Sequence, residues 1–435
     1  MAGSLPLALG KLGVESVIFM PRYRGLPEGK QKLSEKVTVY FIENEVYFNR
    51  ASLYGNDGFD YPDNLKRFSF FSHEVFSLAK AIGFRPDVIH AHDWQAALVP
   101  VILKAKFNKD PFFKKTKTLL TIHNLAYQGV FPDWWYPELG LDRNLFTVDG
   151  FEFYGKINLL KAGILFADAV NTVSPHYARE IQTEEYGCGL EGVVKKRARR
   201  LRGILNGIDT AFWNPQKDKN IKKRYSSRQP SGKEACKADL QKSRGWKADP
   251  AVPVFGIVSR LAEQKGVDLL VEIAGTFLSQ KAQLVLLGDG DKVFESAFKD
   301  IAKRHPKRAA VHVGFNAAEA HRIYAGSDFF LMPSAFEPCG LGQLISLRYG
   351  TLPVVRRTGG LADTITDVGA DPKRGNGFTF EGHNAREFLR AIGRAQMLFG
   401  DKKRFQELRV RAMKADFSWE KSAAEYRKFY KEILG

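Results

Sequence analysis

The sequence predicts an α/β protein built from two doubly wound parallel sheets. Short β-type runs alternate with helical patterns along most of the chain, which implies parallel strands joined by right-handed crossovers. The runs fall into two series, separated by a polar, basic stretch over 214–250. The chain has 435 residues, enough for two to three packed cores.

The first series opens with a short helix. Leu5, Leu7, Leu9 and Leu12 are apolar, and Gly13 stands where a helix would stop. Strands are then predicted at 14–20, 87–90, 118–122, 169–173 and 203–205. The separating stretch carries Pro215, Pro230, Gly232 and Pro250, a loop composition, with one helix over 233–244. The second series predicts strands at 252–258, 283–287, 310–313, 329–332 and 352–355. Ser418 can N-cap a last helix running to Leu434. Trp419, Ala423, Tyr426, Tyr430 and Ile433 make one apolar stripe on it. That helix either covers the second domain or crosses back to the first.

Composition narrows the class. Hydrophobic residues make up 44% and charged residues 26%, an ordinary globular balance. No apolar run approaches the roughly 18 residues of a membrane helix, and no signal pattern opens the chain. The three cysteines, Cys188, Cys236 and Cys339, are widely spaced. They form neither a disulfide framework nor a zinc pattern, so a reducing cytoplasm is expected. The net charge is +18, with basic runs at 195–202 and 222–224. Nucleic-acid binding is the sharp reading of such runs. No nucleic-acid module accompanies them, so a solvated face and a general attraction for anionic ligands are favoured.

Ligands of doubly wound sheets sit beyond the carboxyl ends of the strands. In DVIHAHDWQ the strand ends in His90-Ala91-His92-Asp93-Trp94, a costly density of ionisable groups unless partnered or used. TLLTIHNLAYQG ends in His123-Asn124, where an imidazole can hydrogen-bond a ligand hydroxyl. The aromatic loop 131–136 suits either stacking on sugar rings or a buried cluster. FGIVSRLAEQKG places Arg260 and Lys265 just past a strand, as a diphosphate clamp would require. In LMPSAFEPCGLGQL, Glu337 projects from the loop, and Gly340 and Gly342 let backbone N–H groups approach an anion at a helix start. A carboxylate beside a phosphate site suits the hydroxyls of a neutral group joined to that phosphate. A sugar nucleotide has this layout. Asp289-Gly290-Asp291 resembles a metal-binding D-x-D but reads as a strand-ending turn.

HAHDWQ, TIHNLAYQG, NGID (206–209), SRLAEQKG, SAFEPCGLGQL and RRTGGLADTITD stand in the order found in bacterial glycogen synthases and plant starch synthases. The chain resembles that family over nearly its whole length. The resemblance implies the GT-B fold: two Rossmann-like domains facing an interdomain cleft. On this reading 1–209 is the acceptor and catalytic domain, 210–250 a basic interdomain segment and 251–415 the nucleotide-sugar domain. Residues 416–435 would form a helix crossing back to the first domain.

The resemblance further implies retaining transfer of glucose from ADP-glucose to the non-reducing 4-OH of glycogen or another α-1,4-glucan. Arg260, Lys265 and the backbone of Cys339, Gly340, Leu341 and Gly342 would bind the diphosphate. Glu337 would hold glucose hydroxyls, with Asp93, His123 and Asn206 lining the glucosyl and acceptor site. Phe315 would lie against adenine, which leaves ADP against UDP open. No metal, cofactor, nucleic acid or membrane is expected, and the oligomeric state stays open. No carboxylate pair stands out as nucleophile and acid, in keeping with same-face attack. The family often has Thr at Gly342, so a hydroxyl contact is lost there. Family members also begin with a strand and a Lys-x-Gly-Gly-Leu loop, which are not found ahead of the opening helix. The alternative is therefore a truncated, catalytically impaired synthase that retains glucan or nucleotide binding only.

Overall fold

The computed structural model describes residues 1, 3–56 and 58–435. The chain divides into two compact units, Met1–Leu205 with Trp419–Gly435, and Asn206–Ser418.

In the first unit the elements are α1 (Leu5–Lys11), β1 (Ser16–Pro21), β2 (Lys30–Ser34), β3 (Val37–Ile42), α2 (Asn64–Ala81), β4 (Val88–His92), α3 (Leu98–Lys106), β5 (Lys117–Ile122), β6 (Val130–Pro132), β7 (Glu152–Phe153), β8 (Lys156–Asn158), α4 (Leu159–Phe166), β9 (Ala169–Thr172) and β10 (Leu201–Gly203). The main sheet has the order β10-β9-β5-β4, with every pair parallel. A second sheet pairs β1 with β3 in parallel and β3 with β2 antiparallel. β6, β8 and β7 form a small antiparallel sheet.

β5 is buried from Thr118 onward, as a parallel strand covered on both faces must be. Leu120, Ile122, Ala91 and Val170 share a core with Val101 and Ile102 of α3 and Leu160 and Ile164 of α4. Residues of opposite parity, Leu119 and Ala169, meet a different cluster. It contains Leu5, Ala8 and Leu9 of α1 and Trp419, Ala423, Tyr426 and Phe429 of the terminal helix, Trp419–Leu434. The terminal helix is thus part of the first unit.

The second unit contains α5 (Gly232–Ser243), β11 (Val254–Val258), α6 (Val267–Ser279), β12 (Gln283–Gly288), α7 (Lys292–Arg304), β13 (Ala309–Val313), α8 (Ala317–Gly326), β14 (Phe329–Met332), α9 (Gly342–Arg348), β15 (Leu352–Arg356), α10 (Gly359–Thr364), β16 (Phe378–Phe380), α11 (Ala385–Gly400) and α12 (Lys402–Lys414). Its sheet runs β13-β12-β11-β14-β15-β16, all parallel. Strand order grows outward from β11 on one side and restarts at β14 on the other. The carboxyl ends of β11 and β14 therefore flank a topological switch point, where such folds place their ligands.

Two expectations change. The stretch 210–250 is not a linker. Tyr225, Cys236, Leu240 and Trp246 are buried in a core of the second unit. Lys233 is buried as well, its ammonium donating to the Ala325 carbonyl at 3.0 Å and to Thr351 Oγ1 at 2.7 Å. A lysine on the predicted helix thus serves as an internal donor. Residues 206–209 also lie in the second unit, not the first. The Ile208 N–H donates to the Phe417 carbonyl at 2.8 Å, and the Asn206 N–H reaches the Cys339 sulfur.

The basic run at 195–202 is partly internal too. Arg197 and Arg200 donate to the carbonyls of Ala167 and Asp168, at the end of α4. Asp289–Asp291 is a turn: the Leu261 N–H donates to the Asp289 carbonyl and the Asp291 N–H to the Leu261 carbonyl, and α7 follows. Among the described residues, no helix is long and apolar enough to cross a membrane.

Candidate active site

In the first unit the polar groups gather beyond β4 and β5. His90 and His92 are two apart on a strand, so they share a face. Register pairs His92 with Thr121 across the sheet, which carries His123 onto that face one step later. His92 Nδ1 lies 3.2 Å from His123 Nε2. Asp93 follows with φ of 55°, in the left-handed region that Asp tolerates better than most residues. Its Oδ1 accepts the His123 N–H at 2.7 Å, and the Asn124 N–H also reaches the carboxylate. Trp94, next in sequence, is buried edge-on against Phe68 at 5.0 Å and anchors the turn.

Loss of solvent dominates the titration here. It pushes the Asp93 carboxyl up to about 7, against the pull of its two N–H donors. It pushes His90 down to about 3, His123 down to about 4 and His92 well below the imidazole range. Near neutral pH this corner holds uncharged rings around a carboxyl poised to gain or lose a proton. Such a set suits hydroxyls of a neutral polyol.

The second unit builds its corner from charges. Glu337 is buried in the loop after β14, and its Oε2 lies 2.7 Å from Lys265 Nζ and 3.1 Å from Ser334 Oγ. The loop is held along its length. The Ala335 N–H donates to the Gln264 carbonyl at 3.0 Å, and the Arg356 guanidinium donates to the Ala335 carbonyl. The Gly360 N–H donates to the Glu337 carbonyl at 3.0 Å. Gln343 Nε2 donates to the carbonyls of Cys339 at 3.0 Å and Gly340 at 3.1 Å. Gly266 has φ of 64°, and a Cβ there would sit 1.9 Å from the Pro333 carbonyl oxygen, so the loop closes only over a glycine. Among the described residues the N–H groups of Gly340 and Leu341 have no acceptor, just ahead of α9.

The other expected residues fall into place around this loop or apart from it. Arg260 is exposed past β11, with Nη2 3.0 Å from Gln264 Oε1. Cys339 is buried and burial pushes its thiol up to about 12, so it can offer a ligand only backbone. Asn206 lies beside it, with a buried Oδ1 that finds no partner among the described residues. Gly342 opens α9, and a Cβ there would sit 2.9 Å from Phe330 Cε1. Phe315 is 87% exposed past β13. The aromatic loop 131–136 divides: Tyr136 is buried, Trp135 borders the core and Trp134 is exposed.

Sequence reasoning passed over Gln264, Arg356, Gln343 and Gly266, which hold the Glu337 loop. Gln264, Gly266 and Arg356 carry no local signal because they act through the sheet order, whereas Gln343 acts on carbonyls only three and four residues back. His92 and His123 were each marked as strand-end residues, and only the register of β4 on β5 pairs them.

Comparison with known proteins agrees across the chain. Residues 1–196 match the starch synthase catalytic domain family and residues 240–405 match glycosyl transferases group 1. The chain is 46% identical over 430 residues to glycogen synthase 2 of Geobacter metallireducens, covering 99% of this chain and 88% of that one. It is 45% identical over 458 residues to the glycogen synthase of Geotalea daltonii, covering 100% and 95%. The catalytic domain of starch synthase IV from Arabidopsis thaliana, bound to ADP and acarbose, superposes with a TM-score of 0.91 at 32% identity, over 99% of this chain and 94% of that one. Sucrose-phosphate synthase from Thermosynechococcus elongatus shares the fold, with a TM-score of 0.65 at 16% identity over 99% of this chain and 92% of that one.

Proposed function

The chain belongs to the glycogen and starch synthase family of glycosyltransferases, with the GT-B fold, and from that premise we propose that it moves glucose from ADP-glucose to the non-reducing 4-OH of an α-1,4-glucan, with retention. The second unit would grip the donor. Lys265 would exchange Glu337 for the diphosphate, joined by Arg260 and by the N–H groups of Gly340, Leu341 and Gly342. Released from Lys265, Glu337 would accept the glucose hydroxyls, near Asn206. Phe315 would cover the adenine. Charge growing on the departing ADP would be offset by fixed cations, which cost little reorganisation at the moment of reaction.

The first unit would handle uncharged sugar. Asp93 and the neutral His123 would hold and orient hydroxyls. The leaving phosphate would take the acceptor proton in a same-face attack. The cytoplasm is the proposed location, in keeping with three unpaired thiols.

The observation that carries the reading is the Lys265–Glu337 ion pair at 2.7 Å, beside the Gly340 and Leu341 N–H groups, which have no acceptor among the described residues, at the switch point of the second sheet. It joins a cation for phosphate to a carboxylate for a polyol in one loop. The test is incorporation of radiolabelled glucose into glycogen by the purified chain, from ADP-glucose and from UDP-glucose in parallel. Label from ADP-glucose is expected. No label from either donor would overturn the reading, and label from UDP-glucose alone would overturn the donor assignment.

A further inference from the structure

The histidines beyond β4 rest on a hydrogen-bond chain that starts in the terminal helix. His90 Nδ1 lies 2.8 Å from the Tyr430 hydroxyl, and His90 Nε2 lies 2.5 Å from Thr121 Oγ1. Thr121 Oγ1 lies 2.6 Å from Asn171 Oδ1. Asn171 Nδ2 donates to the Tyr426 hydroxyl at 2.7 Å and leans on the Thr172 carbonyl at 3.4 Å. Thr121, Asn171 and Tyr426 are fully buried.

The directions in this chain are determined. A carbonyl can only accept, so the amide nitrogen of Asn171 faces Thr172 and its oxygen faces Thr121. Thr121 gives its single hydroxyl proton to Asn171, and must then accept from His90 Nε2–H. His90 Nδ1 is therefore the bare nitrogen, and the Tyr430 hydroxyl donates to it. The His90 ring in turn lies against the His92 ring, with centroids 4.3 Å apart, and His92 Nδ1 meets His123 Nε2 at 3.2 Å.

We propose that Tyr430 is a positioning residue for glucosyl transfer. By donating to His90 Nδ1 it fixes the tilt of that ring, on which His92 rests, and so the aim of His123. The inference rests on His123 working at the acceptor side. Tyr426, acting through Asn171 and Thr121, fixes the same ring from its other nitrogen.

The test uses the full chain with Tyr430→Phe, which keeps the ring and removes the donor. The expected result is a fall in kcat of about tenfold, the worth of one hydrogen bond of ordinary strength, with KM for ADP-glucose moving less than about twofold. Imidazole 15N spectra of the substrate-free protein should keep the Nε2–H tautomer of His90, which Thr121 and Asn171 impose, but shift the His90 Nδ1 signal that loses its donor and with it the His92 and His123 signals, while the rest of the spectrum stays folded. In a His90→Asn background the same change should cost nothing further, since Tyr430 would act only through that ring. Wild-type kcat in Tyr430→Phe, or His92 and His123 signals that do not move, overturns the proposal. So does an undiminished loss in the His90→Asn background. An inactive wild-type chain would instead fault the assigned reaction, and the spectra would still report on the chain of bonds.

Discussion

The two units place polar groups at strand ends in opposite ways. In the first, His90, His92, His123 and Asp93 make no ion pair among the described residues, and loss of solvent drives each toward its neutral form. In the second, charges are kept and paired. Burial pushes the Asp328 carboxyl up, but Lys237 at 2.7 Å and Arg409 outweigh it and hold it below its usual range. Lys265 and Glu337 repeat the pairing at the mouth of the sheet. The difference teaches what each side is built to meet. A corner of neutral donors and acceptors suits sugar hydroxyls. A corner of charges already matched to one another suits a ligand that carries its own charges and can exchange into the pairs.

The sharpest way to break this contrast is at Glu337. Glu337→Ala should lower kcat/KM at least about 10³-fold, the scale of a lost group that acts in the transition state, read by glucose incorporation. Near-wild-type turnover would remove it from the site. Next, Lys265→Ala should raise KM for ADP-glucose by about 10–100-fold, as expected for charge-assisted bonds to phosphate. Arg260→Ala, starting from an exposed side chain, should cost nearer tenfold, and both are measured by donor titration.

Acidity gives a third test, because the two kinds of group in the first unit pull stability in opposite directions. Asp93 binds a proton at about 7 when folded and at 3.8 when unfolded. Its contribution is whole below the unfolded value and is lost as pH rises through about 7. The histidines, depressed from 6.5 toward 4 and 3, contribute fully above 6.5 and lose that contribution as pH falls through this window. Asp93→Asn should therefore raise Tm more at pH 8 than at pH 5, and remove any inflection of kcat near pH 7. His123→Gln should flatten the loss of Tm between pH 6.5 and 4. Thermal melts across pH decide both. The smallest effect is expected at Gly342→Thr, where the new Cβ meets Phe330. A cost of about 1–2 kcal/mol is expected, as for mild overpacking, and Phe330→Leu in the same chain should return most of it in a urea titration.

Much of the fold was legible. Nine of the ten predicted strands lie where alternation of apolar runs and helical patterns put them, because a buried parallel strand needs a nearly continuous apolar run; the tenth, 203–205, meets β10 (Leu201–Gly203) at one residue only, and β16 (Phe378–Phe380) was not predicted. β2 was not legible, since Lys30–Ser34 is charged and solvated and pairs only because β3 supplies an edge. β3 did carry a signal in Val37, Val39 and Phe41, all buried. The stretch 210–250 misled because lysines count as solvent-loving until a carbonyl such as that of Ala325 waits for one. For the site, sequence marks which strand ends are polar and leaves their partners blank. Lys265 and Glu337 are 72 residues apart and meet only because β11 and β14 are neighbours. Tyr430 read as one more apolar position in a stripe. Nothing local reveals that its hydroxyl has a nitrogen to meet.

The way the chain is threaded gives the terminal helix a further consequence. The second unit is one continuous piece, and the first is interrupted by it. During synthesis the sheet of the first unit emerges early, yet the tyrosines that close over His90 and Asn171 are made only after the whole second unit. Growing chains tend to fold from the amino end, domain by domain. Here the first half waits, with one face of its sheet uncovered, until the second half has been translated. A ribosome that stops before residue 419 yields a protein whose second unit can be complete and whose first cannot. The helix therefore ties completion of the His90 corner to synthesis of the whole second unit.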